Sequence, residues 1–324
     1  MIKAGIIGGA GYTAGELLRI LVHHPEVNVA FVQSSSQSGK PVSTIHDDLI
    51  AETDLVFQKE QGEADVIFLC QGHGKARTFL LENTVSENTK IIDLSQDFRH
   101  QANATLDNRQ FIYGLPELNK NKIQSAENIA NPGCFATAIQ LALLPLAQSG
   151  LLTDEVHVHA VTGSTGAGQA PGETTHFSWR NDNVSVYKAF EHQHLKEITE
   201  SITTLQKGFD QEINFIPMRG NFSRGIFVSA YTTFEGDIER AYELFGDFYS
   251  GAAFTKVTKT PLHLKQVVNT NYCFLHLAKH GSKLLITSAI DNLLKGASGQ
   301  AVQNLNLMFG LKENLGLQLK ANAF

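Results

Sequence analysis

Ile2-Lys3-Ala4-Gly5-Ile6-Ile7-Gly8-Gly9-Ala10-Gly11-Tyr12-Thr13-Ala14-Gly15-Glu16-Leu17-Leu18-Arg19-Ile20-Leu21 decides how the chain begins to fold. Ile2 to Gly8 reads as a short buried strand and Gly8-Gly9-Ala10-Gly11 as a glycine turn. From Ala14 to His24 the residues Leu17, Leu18, Leu21 and Val22 share one helical face. Pro25 stops that helix, and a second apolar run, Val27 to Val32, follows at once. Strand, glycine turn, helix and strand in this order take a right-handed crossover with parallel strands, half of a dinucleotide fold. The glycines let a pyrophosphate approach backbone N–H groups at the helix N-terminus, where the dipole favours negative charge. The spacing Gly8-x-x-Gly11 is looser than G-x-G-x-x-G, so packing glycines in a flavodoxin-like sheet are the competing reading.

The end of the second strand discriminates between cofactors. NAD-selective sites place an Asp or Glu there for the ribose 2'-hydroxyl. Here the chain reads Ser34-Ser35-Ser36-Gln37-Ser38-Gly39-Lys40, hydroxyls and one cation that suit a 2'-phosphate, which predicts NADP (NADPH); a polar surface loop is the alternative. Val66 to Cys70 and Lys90 to Leu94 continue the alternation of strands with helices, and Cys70 reads as a small buried hydrophobe.

Composition narrows the class. The 324 residues suggest about two domains, and 18% charged with 42% hydrophobic residues excludes a disordered tail, a fibre and a low-complexity scaffold. A formal net charge of -6 supplies no global field for nucleic acid or an anionic membrane. The longest apolar run, Leu141 to Ala147, contains Pro145 and is far short of the roughly 20 residues that span a bilayer. No signal-peptide pattern follows Met1, so a cytoplasmic location is expected. Three scattered cysteines make neither a disulfide framework nor a metal knuckle, and no metal is expected.

Asn131-Pro132-Gly133-Cys134 precedes a helix-like run from Phe135 to Ala147, which puts Cys134 at a helix N-terminus. The dipole and free N–H groups there favour thiolate, whereas an ordinary thiol is only about 3% ionised at pH 7. Cys134 is therefore the candidate nucleophile, with a structural cysteine as the alternative, and Cys273 reads as structural. His192-Gln193-His194 and His157-Val158-His159 lack the further ligands that a zinc site needs.

Gly11-Tyr12-Thr13-Ala14-Gly15-Glu16-Leu17, Asp93-Leu94-Ser95-Gln96-Asp97-Phe98-Arg99, Tyr113-Gly114-Leu115-Pro116-Glu117-Leu118, Ala130-Asn131-Pro132-Gly133-Cys134 and Gly296-Ala297-Ser298-Gly299-Gln300-Ala301-Val302-Gln303-Asn304 together resemble the N-acetyl-gamma-glutamyl-phosphate reductases, relatives of aspartate-semialdehyde dehydrogenase. The likeness spans nearly the whole chain. It implies Cys134 as nucleophile and, through Tyr187 to Ile198, His192 as its acid/base partner, with His194 and Glu197 nearby. It implies cofactor contacts from Gly8, Gly11, Tyr12, Thr13 and Ala14, from Ser34, Ser36 and Lys40, and from Gly166, Asn292 and Gly296. The acyl phosphate and carboxylate of such a substrate suit Ser95 and the arginines Arg99, Arg219 and Arg224. Three departures stand out: Ala14 and Gly15 are exchanged relative to the usual order, the loop Cys70-Gln71-Gly72-His73-Gly74 is altered, and Pro217 to Ile226 is longer by a few residues. That extra length leaves Arg219 and Arg224 both eligible for one family position.

From about Leu151 strand-like runs dominate: Val156 to Val161, Ile213 to Ile216, Ile226 to Thr233, Val267 to Ala278 and Leu284 to Ile290, the last two joined as a hairpin. Helical periodicity returns after Lys295, with Ala297, Ala301, Val302, Leu305 and Phe309 on one stripe. The expected fold class is α/β: a Rossmann-type NADP-binding domain, 1–133 and 295–324, interrupted by an α+β catalytic and oligomerisation domain, 134–294, with a mainly antiparallel sheet, as in glyceraldehyde-3-phosphate dehydrogenase. Cys134 is expected at the seam. The expected activity is NADPH-dependent reduction of N-acetyl-L-glutamyl 5-phosphate through a cysteine thioester, releasing inorganic phosphate, in arginine biosynthesis, by a homodimer or homotetramer. The alternatives are an aspartate-semialdehyde dehydrogenase-like reductase, the same reaction on an N-succinyl substrate, a thiol hydrolase or acyltransferase, and a non-catalytic nucleotide-binding scaffold.

Overall fold

The computed structural model describes residues 1–322, which form two compact units. The first comprises Met1–Pro132 with Ala297–Gln318, and the second is built on Gly133–Gly296.

In the first unit β1 (Ile2–Ile7) leads through the glycine turn into α1 (Tyr12–Leu21) and β2 (Val27–Gln33). Then come β3 (Phe57–Gln58), β4 (Val66–Leu69), α2 (Lys75–Glu82), β5 (Lys90–Asp93), β6 (Thr105–Leu106), β7 (Arg109–Tyr113), α3 (Pro116–Gln124) and β8 (Asn128–Ala130). The sheet order is β3-β2-β1-β4-β5-β8-β7-β6, parallel except at the β6–β7 hairpin. β4 is buried along its whole length, as a strand covered on both faces must be. The strands stop one residue earlier than the apolar runs Val66 to Cys70 and Lys90 to Leu94, because the chain turns there.

The second unit opens with α4 (Cys134–Gln148) and continues through β9 (Val156–Thr162), α5 (Phe177–Arg180), β10 (Ser185–Val186), α6 (His194–Leu205), β11 (Ile213–Arg219), β12 (Ile226–Thr233), α7 (Ile238–Phe248), β13 (Thr255–Thr258), β14 (Cys273–His280) and β15 (Lys283–Ile290). Its sheet order is β10-β11-β9-β12-β15-β14-β13. The sheet is mixed: β9 pairs β11 and β13 pairs β14 in parallel, and the remaining pairs are antiparallel. The strand expected from Val267 starts only at Cys273. Residues before it coil because Asn269 takes a positive φ of 69° and gives its N–H to the Asp291 carboxylate.

Every residue of α4 from Phe135 to Ala147 is buried, which is why its sequence is apolar all round. Pro145 sits inside this helix and has no N–H to give to the Leu141 carbonyl four residues back. The buried Tyr249 hydroxyl donates to that carbonyl instead, at 2.6 Å, and the helix continues to Gln148.

The last helix, α8 (Ser298–Met308), returns to the first unit and packs on α1 and α3. It carries the apolar stripe read from the sequence, yet its polar residues are buried too. Asn304 Nδ2 donates to the Gly114 carbonyl and to Asn131 Oδ1, Ser298 Oγ to the Thr13 carbonyl, and Asn131 Nδ2 to the Ala297 carbonyl. No helix among the described residues is long and apolar enough to cross a membrane.

Replacing Tyr249 by Phe removes the hydroxyl that reaches the Leu141 carbonyl while keeping the ring. Urea unfolding of Tyr249→Phe should register a loss of about 1–3 kcal/mol, and an unchanged midpoint and slope would refute this account of how the proline is tolerated.

Candidate active site

Cys134 is the first residue of α4, half-buried, and Gly133 before it is extended with φ -71° and ψ 151°. The Gly133 N–H donates to Glu197 Oε2 at 3.0 Å. Glu197 is buried in the first turn of α6, and its other oxygen lies 3.9 Å from Nε2 of His194, the residue that begins α6. The imidazole of His194 covers Gly133 so closely that a Cβ there would fall 2.3 Å from Nε2. Only glycine fits at this position. Gly296 approaches Cys134 from another side, since a Cβ on it would come within 2.8 Å of the Cys134 Cβ.

His192 sits two residues before α6 inside an aromatic box, edge-on to Phe135, Phe215, Tyr187 and His194 with centroids 4.6–5.9 Å away. Its Nδ1 accepts the His194 N–H at 3.2 Å, so the neutral ring carries its proton on Nε2. Burial, and then the Lys188 charge, push its pKa down to about 4 against the opposing pull of Glu197.

Arg219, at the end of β11, lies over the Tyr187 ring with Cζ 4.6 Å from the centroid, and its buried Nε has no hydrogen-bond partner. The Tyr187 hydroxyl is held well above its ordinary value by burial and by nearby Cys134, while Arg219 opposes the shift. Arg224 is engaged elsewhere. Its Nε and Nη2 pair with both oxygens of the fully buried Asp291, which also accepts the Leu293 and Leu294 N–H groups. Asn292 accepts the Gly225 N–H at 2.6 Å and donates to Thr165 Oγ1, bracing the turn Ser164–Ala167 that contains Gly166.

These residues lie in a segment with known relatives. A family model described as the semialdehyde dehydrogenase dimerisation domain matches residues 134–292, and one described as the semialdehyde dehydrogenase NAD binding domain matches residues 3–126. An N-acetyl-gamma-glutamyl-phosphate reductase from Christiangramia forsetii is 63% identical over 100% of both chains. The reductase of the same name from Azobacteroides pseudotrichonymphae is 58% identical, again over 100% of both. The chain belongs to the N-acetyl-gamma-glutamyl-phosphate reductase family. Its fold is that of the semialdehyde dehydrogenases: aspartate semialdehyde dehydrogenase II from Vibrio cholerae superposes with a TM-score of 0.74 over 96% of this chain and 98% of that one, at 16% identity.

As in other members of this oxidoreductase family, the first unit is a nicotinamide dinucleotide-binding domain. Gly8 and Gly9 both give their N–H to the Gln33 carbonyl at the end of β2, so they shape the turn. Among the donors left for a pyrophosphate are the first-turn amides of α1, Tyr12, Thr13 and Ala14, behind Gly11, whose side chain position is open and offers no cap. That end of α1 fits the anionic middle of a dinucleotide. Ser34 is buried, and Ser36 and Lys40 are exposed on the same loop.

Ser95 and Arg99 cluster at the end of β5. Ser95 gives both its N–H and its hydroxyl to the buried Asp93, whose carboxyl is pushed up to about 7 by burial despite those bonds and nearby Arg99. Arg99 spans the Asn131 and Leu94 carbonyls. Cys70, read from the sequence as a buried hydrophobe, is half-buried at the end of β4, and desolvation pushes its thiol up to about 12. Asp291 and Arg180 escaped the sequence reading. Each acts through a partner distant in the chain or through backbone atoms, for which no spacing rule exists.

The low His192 value has a thermodynamic sign. The unfolded chain binds a proton at about 6.5 and the folded one only near 4, so stability on this account is present above pH 6.5 and is lost as pH falls toward 4. Between those limits wild type should lose on the order of 2 kcal/mol relative to His192→Phe. Chemical denaturation of both proteins at pH 7 and pH 4.5 measures the difference, and parallel curves would contradict the neutral, buried imidazole.

Proposed function

We propose that the chain catalyses the NADPH-dependent reductive dephosphorylation of N-acetyl-L-glutamyl 5-phosphate to N-acetyl-L-glutamate 5-semialdehyde, in the arginine biosynthesis of the cytoplasm. The carrying observation is Cys134 at the N-terminus of a buried helix, with a histidine and a carboxylate fastened against the peptide before it. The family membership supplies the substrate class.

Cys134 thiolate attacks the acyl carbon, the carbon–oxygen bond to phosphate breaks, and a thioester forms. First-turn amides of α4 face the oxyanion. A nicotinamide, when bound, would supply the hydride that the thioester carbonyl needs. Collapse of the resulting hemithioacetal breaks the carbon–sulfur bond, frees the aldehyde and restores the thiolate. The acid/base role, which the family resemblance implied for His192, fits His194 better: His192 Nδ1 is occupied by a backbone N–H and its ring is boxed by aromatics, whereas His194 Nε2 lies directly against Gly133, the residue before Cys134, with Glu197 beside it. A carboxylate there orients the ring and steadies the charge it gains with a proton. Among the arginines, Arg219 suits the substrate anion, because Arg224 is committed to Asp291.

Ser34, Ser36 and Lys40, with no acidic residue closing β2, favour NADP over NAD. Gly8, Gly11, Tyr12, Thr13 and Ala14 are assigned to the pyrophosphate, while Gly166, Asn292 and Gly296 are assigned to the nicotinamide on the family likeness. The dimerisation domain of the family model supports a homodimer or homotetramer.

An N-succinyl substrate is the second reading. Arg180 bonds only neutral acceptors, including the Arg219 carbonyl at 2.6 Å, and neither guanidinium has a carboxylate partner among the described residues. Arg180 spends its donors on those acceptors, but its charge, which no carboxylate among the described residues offsets, lies beside Arg219, and the doubled positive charge would suit one more carboxylate than an acetyl group offers.

The deciding assay follows NADPH absorbance in the reverse direction, with N-acetylglutamate semialdehyde or its succinyl analogue, NADP and phosphate. Phosphate-dependent NADPH formation by wild type and its loss in Cys134→Ser are expected; silence with both substrates sinks the reading. Arg219→Met should raise KM at least about tenfold with a smaller effect on kcat. Arg224→Met should instead destabilise the fold by about 3–5 kcal/mol by stranding Asp291, and the reverse pattern in kinetics and denaturation would exchange the two roles.

A further inference from the structure

His46 is buried and takes no part in the chemistry above. It lies on the excursion between β2 and β3, the same stretch that carries Ser34, Ser36 and Lys40. That excursion is pinched at its base, where Phe57 N–H bonds the Lys40 carbonyl and Val42 N–H the Leu55 carbonyl, and its far end folds back beneath the glycine turn. His46 Nε2 lies 2.8 Å from the Gly9 carbonyl oxygen. A carbonyl only accepts, so Nε2–H is the donor.

The other edge of the same ring covers α1. A Cβ on Gly15 would fall 2.6 Å from His46 Nδ1 and 2.9 Å from Cε1. One imidazole thus touches the glycine turn at Gly9 and the first turns of α1 at Gly15, the two pieces of backbone that flank the uncapped amides of Tyr12, Thr13 and Ala14. The contact also accounts for the order Ala14-Gly15. The ring occupies the space that a side chain at 15 would need, while the Ala14 methyl is fully buried.

We propose that His46 is a positioning residue for the cofactor pyrophosphate. By holding the Gly9 carbonyl it fixes the plane of the Gly9–Ala10 peptide and the direction of the Ala10 N–H on its opposite side. By lying on Gly15 it sets the distance between that peptide and the start of α1. It therefore acts on the part common to NADP and NAD, whereas Lys40 acts on the 2'-phosphate alone. The inference rests on the dinucleotide-binding role of this unit and not on the choice of NADP.

The test is fluorescence titration of the cofactor-free protein with NADP and with NAD, alongside its thermal unfolding without cofactor. His46→Leu, which fills the space without a donor, should weaken both cofactors by about the same factor, roughly fivefold. His46→Gln keeps a donor of similar reach and should bind both within about twofold of wild type. Gly15→Ala should weaken binding in wild type and add nothing further in His46→Ala. Lys40→Ala should weaken NADP alone, which separates the nucleotide preference from the role of His46. Equal affinities of His46→Leu and His46→Gln, whether both intact or both lost, would overturn the proposal. So would additive effects of Gly15→Ala and His46→Ala, or affinity losses that only track the loss of thermal stability.

Discussion

One buried carboxylate, Glu197, holds together the starts of two helices. Its hydrogen bond to the Gly133 N–H fixes the peptide from which α4 departs, and its position in the first turn of α6 brings His194 down onto that peptide. Cys134 is the next residue along. Because α4 is buried on every side, the helix cannot shift to accommodate a different start, and Gly133 cannot bear a side chain under the imidazole. The geometry around Cys134 is thus set by a polar contact at one end of the helix and by apolar packing along the rest.

The charged groups divide into those that shape the backbone and those that remain available for an anion. Asp291 collects three backbone amides and the Arg224 fork, so that pair organises the chain between β12 and α8. Arg180 likewise spends its donors on carbonyls and one hydroxyl. Arg219 differs in keeping a buried nitrogen without a partner, close to the tyrosine whose hydroxyl senses Cys134. Residue type alone would have treated all three arginines alike.

Local patterns carried much of the architecture in advance. The glycine turn, the apolar runs of β1, β2 and β12, and the position of Cys134 at a helix start were legible because each is written in adjacent residues. The β14–β15 hairpin was legible as well, since a Gly-Ser pair separates two alternating runs. The parallel pairs β9–β11 and β13–β14 were not, because strand direction depends on crossovers that no short pattern records. Val267 to Tyr272 looked like strand from composition, but a hydrogen bond to Asp291, more than twenty residues away, holds that stretch in a coil. His46 was invisible for the same reason: its partners, Gly9 and Gly15, lie more than thirty residues upstream. The exchanged Ala14-Gly15 pair was the one trace of it in the sequence.

The return of α8 has a consequence for synthesis on the ribosome. The first unit lacks this helix until Ala297 and the residues after it have been translated, long after Pro132 has emerged. At roughly 5–20 residues per second, that interval lasts on the order of ten to thirty seconds. Throughout it the Gly114 and Thr13 carbonyls and the Asn131 side chain are without the α8 partners that they have in the finished protein. The nascent dinucleotide unit must wait for the second unit to be made before its last layer can close, so the order of translation is opposite to the order in which the first unit's core could otherwise complete itself.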